Sequence, residues 1–168
     1  VIYNYNEQLW YYGTINRDAW IDRGLRPFPI ATGSNYLYNH EKGYDDDGSA
    51  LNSSIESSQI DIGDGDRFAF ISQLIPDLTF NGSDADNPSV NITVEGRNFP
   101  GGDYLQSDTS AVTRTAVSTS TVPFEQWTNK ADIRVRGRAF NLSVSSSDSG
   151  VRWRLGSPRV QARPDGRR

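Results

Sequence analysis

Arginine at alternate positions is the feature of this chain most able to do chemistry. Arg134, Arg136 and Arg138 repeat at period two, and Arg152 and Arg154 do the same. In a strand that period puts the side chains on one face. The guanidinium fork matches carboxylate and phosphate oxygens, and it is costly to bury without a partner. Two adjacent strands carrying these rows are therefore expected to share an arginine-lined face. That face would meet water, an acidic partner or a phosphate. The expectation is an interaction surface rather than a catalytic pocket. Contact with protein, inside the chain or across a subunit boundary, is favoured over contact with DNA. Base readout would need splayed aromatics or groove-inserted elements, which the pattern does not suggest.

Other residues with chemical potential are fewer. Asp45-Asp46-Asp47-Gly48, Asp61 with Asp64-Gly65-Asp66, and Asp84 with Asp86 could supply hard oxygens to calcium. None has the spacing of an EF-hand loop with its distal Glu. Asp and Gly also make ordinary turns through side-chain-to-backbone bonds, so turns are expected and no metal site is assigned. His40, the single histidine, could act as a base beside Glu41 or Asp45. It has no second histidine for a metal pair and no nucleophile motif, so a structural role is expected. Trp10, Tyr11, Tyr12, Trp20, Tyr36 and Tyr38 could stack on sugars, but in an all-β chain they are expected mainly in a core or strand seam. No catalytic residue and no cofactor is expected.

The charge is divided along the chain. Residues 129–168 hold ten of the 17 basic side chains and three of the 21 acidic ones, which makes the segment +7 and the other 128 residues −11. The net charge of −4 argues against a general nucleic-acid binder. Cysteine is absent, so neither a disulfide framework nor a thiolate metal site can form. No apolar run approaches the length of a membrane span, and no basic-then-apolar leader is seen. Methionine is absent too, and the chain opens inside what reads as a strand, so a fragment or processed piece of a longer protein is expected.

The elements that must position these residues read as strands and turns, without a clear helical period. Residues 8–12 and 15–22, separated by Gly13-Thr14, read as a hairpin. Pro27 and Pro29 make an extended connector, and residues 35–41 form a strand with Tyr36 and Tyr38 on one face. Residues 55–62 read as one strand. In the strand at 67–75, Phe68, Phe70 and Leu74 are in phase. Residues 89–98 alternate cleanly, with Val90, Ile92 and Val94 facing one way. A turn at 99–102, a loop at 103–110 and a strand at 111–122 follow. Residues 132–145 form a long strand whose apolar parity switches between Val135 and Phe140, and a β-bulge near 137–139 would restore one face. Pro158 and Pro164 mark an extended tail. From Ser53 onward six to seven strands are expected. The fold class is all-β: an antiparallel, jelly-roll-like β-sandwich over residues 49–168, preceded at 1–48 by β-hairpins of a propeller-like sheet.

Several strings carry a resemblance. NEQLWYYGTINRDAWIDRG at 6–24, Tyr38-Asn39-His40-Glu41 with Gly43, Pro76-Asp77, and the terminal WRLGSPRVQARPDGRR resemble parts of tail proteins of short-tailed bacteriophages. The nearest family is the tail-nozzle, or packaged-DNA-stabilisation, class. The resemblance covers most of the chain and implies its C-terminal part. It implies a structural protein of the virion tail, in a homo-oligomeric ring of six. Such a ring extends the channel for DNA ejection, against neighbouring tail or head-to-tail adaptor proteins, and has no enzymatic activity. DNA would pass without specific binding. Tight grip on phosphates would hinder ejection, which favours a subunit seam for the arginines.

Two other functions stay open. One is a carbohydrate- or receptor-binding β-sandwich module of a tail fibre or secreted enzyme, which aromatics in an open groove would support. The other is a hydrolase using Asp or Glu, which two acids facing across a cleft at about 5–9.5 Å would support.

Overall fold

The computed structural model describes residues 1–98 and 118–166. The chain divides into two compact units, Val1–Gly43 and Tyr44–Arg168. Among the described residues every regular element is a strand and no helix occurs. Among these residues no helix is therefore long and apolar enough to cross a membrane, which says nothing about a β-barrel.

The first unit holds five short strands. β1 (Ile2–Asn4) pairs antiparallel with β2 (Leu9–Tyr11), and β3 (Ala19–Ile21), β4 (Ile30–Gly33) and β5 (Tyr36–Asn39) form an antiparallel sheet in that order. The hairpin expected across Gly13-Thr14 is not the one formed. Strand β2 turns back on β1 instead, because Asn4 Oδ1 accepts from the N–H groups of Asn6 and Glu7 and Gln8 takes a φ of 56°. In the three-stranded sheet Trp20, Ala31 and Tyr38 share a rung. Ala31 is buried, while Trp20 and Tyr36 are exposed.

The second unit opens with a tight hairpin, β6 (Asp45–Asp46) and β7 (Ser49–Ala50). Its turn residues Asp47 and Gly48 both have positive φ, the geometry that twists two strands correctly into a two-residue hairpin. Asp45 Oδ1 accepts from the Gly48 N–H at 3.2 Å. The segment expected as one strand at 55–62 is two, β8 (Ser53–Glu56) and β9 (Ile60–Asp61), both paired with the same later strand, β15 (Ala139–Ser146).

Two larger sheets follow. One runs β14 (Ala131–Gly137), β10 (Ala69–Ile75), β17 (Arg159–Pro164). The other runs β13 (Thr119–Glu125), β12 (Ser89–Arg97), β15 (Ala139–Ser146), with β8 and β9 beyond it. A short ladder joins β11 (Leu78–Thr79) to β16 (Arg154–Leu155). From Ser53 onward ten strands are present among the described residues, more than the six to seven expected. Most of the excess comes from two-residue ladders, too short to show alternation. The turn, the loop and most of the strand expected between 99 and 122 lie outside the described residues; β13 takes up the end of that strand.

Ile71, Leu74, Ile133 and Val135 of the first large sheet and Val90, Ile92, Val94, Phe124, Phe140 and Val144 of the second belong to one hydrophobic core. Each such side chain contributes roughly 1.5–3 kcal/mol when fully buried. β12 follows its alternation, with Val90, Ile92 and Val94 inward. β10 does not. A register shift between Ile71 and Gln73 carries Leu74 into the core, while Phe70 faces the other way, so the two are not in phase.

The parity switch in 132–145 has a different cause from the expected bulge. The strand ends at Gly137, and after Arg138 the chain continues as β15 in the other large sheet. Odd residues face the core before the crossing, and Phe140 and Val144 do so after it. The terminal segment is extended as expected, and it is paired into a sheet. Residues 159–164 pair along β10 as an edge strand, with Pro158 just before it and Pro164 at its end, where a missing N–H is tolerated.

Candidate interaction surface

The two arginine rows do not share a face. Arg134 and Arg136 stand on β14, whose neighbour is β10, whereas Arg154 stands on β16, whose neighbour is β11. Arg152 precedes β16, held where the Ser83 hydroxyl accepts from its N–H and donates to its carbonyl, both at 2.9 Å. Its guanidinium lies over Tyr44, 5.3 Å from the ring centre. Arg138 sits at the crossing between sheets, its N–H donating to the Arg97 carbonyl at 2.7 Å and its guanidinium 4.9 Å from the Phe68 ring. The expectation of adjacent strands failed because a strand's neighbours are not fixed by its own period.

A different arginine face does form. Phe70 is in register with Arg136 on one side and Arg163 on the other, so the three side chains share one rung on the face away from the core. Arg163 lies over the Phe70 ring at 5.0 Å. Arg136 Nε donates to Asp165 Oδ2 at 2.5 Å, and its guanidinium lies 3.9 Å from the Phe68 ring centre. Further along β17 the same parity holds Arg159, opposite Ile75. Arg134 is exposed on β14. This outer face therefore joins Arg134 and Arg136 with Arg159 and Arg163, and sequence reasoning missed the last two. The alternation Arg159, Gln161, Arg163 was the signal, hidden by the flanking prolines. Arg159 and Arg163 form no ion pair among the described residues.

His40 is engaged rather than poised. Its Nε2 accepts from Arg17 Nε at 2.9 Å, which leaves the ring proton on Nδ1 when it is neutral. Trp20 packs on it with ring centres 4.7 Å apart, and the Arg17 guanidinium lies 3.9 Å over Tyr38. The cluster is a stacked series of planar groups in the first unit. Trp10, Tyr11, Tyr12, Trp20 and Tyr36 are exposed, so of the expected core or strand seam they do not form a buried core. The unit is too small to cover them, and its sheets have two and three strands. The Tyr11 hydroxyl donates to Glu7, and that bond, reinforced by the carboxylate's charge, raises the phenol above its usual value of 10.0.

Of the acidic clusters, Asp45-Asp46-Asp47-Gly48 forms a hairpin turn. Asp77 ties two segments: its Oδ2 accepts from the Ser157 N–H at 2.7 Å and its carbonyl from the Gly156 N–H at 2.7 Å. The Asp84 N–H donates to the Gly150 carbonyl. Among the described residues no group of three or more His, Asp or Glu is placed to hold a metal ion.

No family model matches the chain, and comparison with curated proteins finds no significant match.

Proposed function

We propose that the chain is a structural component of a bacteriophage tail, part of a homo-oligomeric nozzle or tube around the DNA-ejection channel. On this reading the second unit is a jelly-roll-like β-sandwich and the first consists of hairpins from a propeller-like sheet. Neighbouring tail or adaptor proteins are its partners, its place is the virion, and it has no enzymatic role. The observation that carries the reading is the exposure of apolar side chains on the first unit. Leu9, Trp10, Ile21 and Leu37 stand on small sheets that have nothing of their own to cover them. Exposed apolar surface of this kind marks contact with further protein. The strings that resemble tail-nozzle proteins give that contact its identity.

Light scattering of the chain across concentration, at low and high salt, tests this. A multimer that loses mass at high salt is expected, since the arginine face would lie at a seam. A strict monomer under every condition overturns self-assembly.

The same exposed rings favour a second reading, a carbohydrate- or receptor-binding module. Trp20, with its indole N–H donating to Asp22 at 2.9 Å, offers a ring face beside polar groups. Glycan binding that is lost in Trp20→Ala would support it. Unchanged binding in that variant would remove it.

A further inference from the structure

We infer that β17 is a strand-addition site for an extended partner segment that alternates acidic and small apolar residues. The inference rests on the edge itself and not on the tail assignment. Strand β17 is the last strand of its sheet, and among the described residues none pairs with its outer side. All six of its residues are exposed. An edge of this length presents unpaired backbone groups that another strand can satisfy.

The two faces of the edge ask for different side chains. On the outer face Arg159 and Arg163 flank Gln161, and carboxylates opposite them would form charge-assisted pairs. On the inner face Val160 is in register with Leu74 and Ala162 with Ile71. Leu74 and Ile71 are fully buried, whereas Val160 is 45% exposed and stands outside the core, so an apolar side chain is left uncovered at this edge. Beside it lies a pocket of about 350 Å³, walled by Ile62, Phe68, Ala69, Ala162 and Pro164. Asp64 and Asp66 line it too, but so do Arg67 and Arg163, and Asp66 is paired with Arg67, so the apolar walls rather than a net charge select apolar groups there. A strand added to β17 would send every second side chain toward the core face and the others onto the arginines.

Self-pairing is disfavoured by the same residues. Antiparallel pairing of two β17 strands centred on Gln161 sets Arg159 of one copy opposite Arg163 of the other, and like charges directly opposite destabilise a ladder. The edge is protected against its own copies and open to an acidic strand.

The test uses the full chain and two labelled heptapeptides, one alternating Glu with Val and one alternating Lys with Val, followed by fluorescence anisotropy at low salt. The Glu peptide is expected to bind with Kd on the order of 10 μM and at least about tenfold more tightly than the Lys peptide. Hydrogen exchange should slow at residues 159–164 when it binds. Arg159→Glu with Arg163→Glu should reverse the preference, a gain that misfolding cannot mimic. Equal affinity for both peptides, no binding, or protection confined to other strands overturns the inference. A single-stranded DNA oligonucleotide that displaces the Glu peptide without protecting 159–164 would assign the arginines to phosphate and also overturn it. A wild-type dimer abolished by the double substitution would mean that copies pair here after all.

Discussion

Gly96 and Gly137 face each other where the chain passes from one large sheet to the other. A Cβ on Gly137 would lie 3.0 Å from Gly96 Cα and 2.9 Å from the Arg97 nitrogen, and one on Gly96 would lie 2.7 Å from the Arg136 carbonyl oxygen. Neither glycine has the positive φ that would make it a turn residue, so closeness of backbones is the requirement. The Arg138 N–H to Arg97 carbonyl bond is made in that narrow gap.

Gly137→Ala and Gly96→Ala are therefore each expected to destabilise the second unit by about 2–4 kcal/mol, because backbone must move to admit a methyl group. The double variant should cost less than the sum, since one displacement relieves both contacts. Urea unfolding of the three variants measures this. Additive losses would mean the two contacts are independent.

Phe124 and Trp127 are three residues apart, with opposite environments. Phe124 is 0% exposed and Trp127 is 75% exposed. Phe124→Ala should cost about 3–5 kcal/mol through lost burial and the remaining cavity, whereas Trp127→Ala should fall within about 0.5 kcal/mol of wild type. Thermal or urea denaturation separates them. A large loss from Trp127→Ala would place that ring against structure.

The Arg136–Asp165 pair is more than a third exposed on both sides, so solvent screens it. Asp165→Asn should cost no more than about 1 kcal/mol, and less at high salt. Arg136→Ala should cost more than Asp165→Asn, because stacking on Phe68 is lost as well. Equal losses in a salt titration would assign the whole effect to charge.

Tyr11 carries a raised phenol because its hydroxyl donates a hydrogen bond to Glu7, whose negative charge adds to the effect. Glu7→Gln should lower its titration toward 10.0, followed by the ring carbon signal in NMR. The sign for stability follows. A phenol whose folded value is raised contributes below the unfolded value, and that contribution is lost as pH rises through the folded one. An unmoved Tyr11 signal in Glu7→Gln would show that another group sets it.

The sequence made some of this legible through period alone. Residues 89–98 show one alternation and one buried face, so β12 was readable, as was the parity switch after Val135. The reason for the switch was not readable, since a bulge and a sheet crossing leave the same trace and only the strand pairing, β14 on β10 and β15 on β12, separates them. Phe70 and Leu74 illustrate the same limit. Equal spacing placed them together, and a register shift at Ser72 parted them. For the arginines, the side-chain direction followed from period, but the neighbour strand did not. Arg136 met Arg163 across Phe70 rather than Arg152 or Arg154. The aromatic residues of the first unit were misplaced because burial depends on how much chain surrounds a ring, which local spacing does not encode.

The crossing at Gly137 and Arg138 also bears on how the second unit comes apart. The backbone passes from one large sheet into the other within a single residue, so neither can fray past that point without pulling on the other. Slow amide exchange should therefore appear as a single plateau spanning β10, β12, β14 and β15, with opening of the two sheets governed by one free energy rather than two.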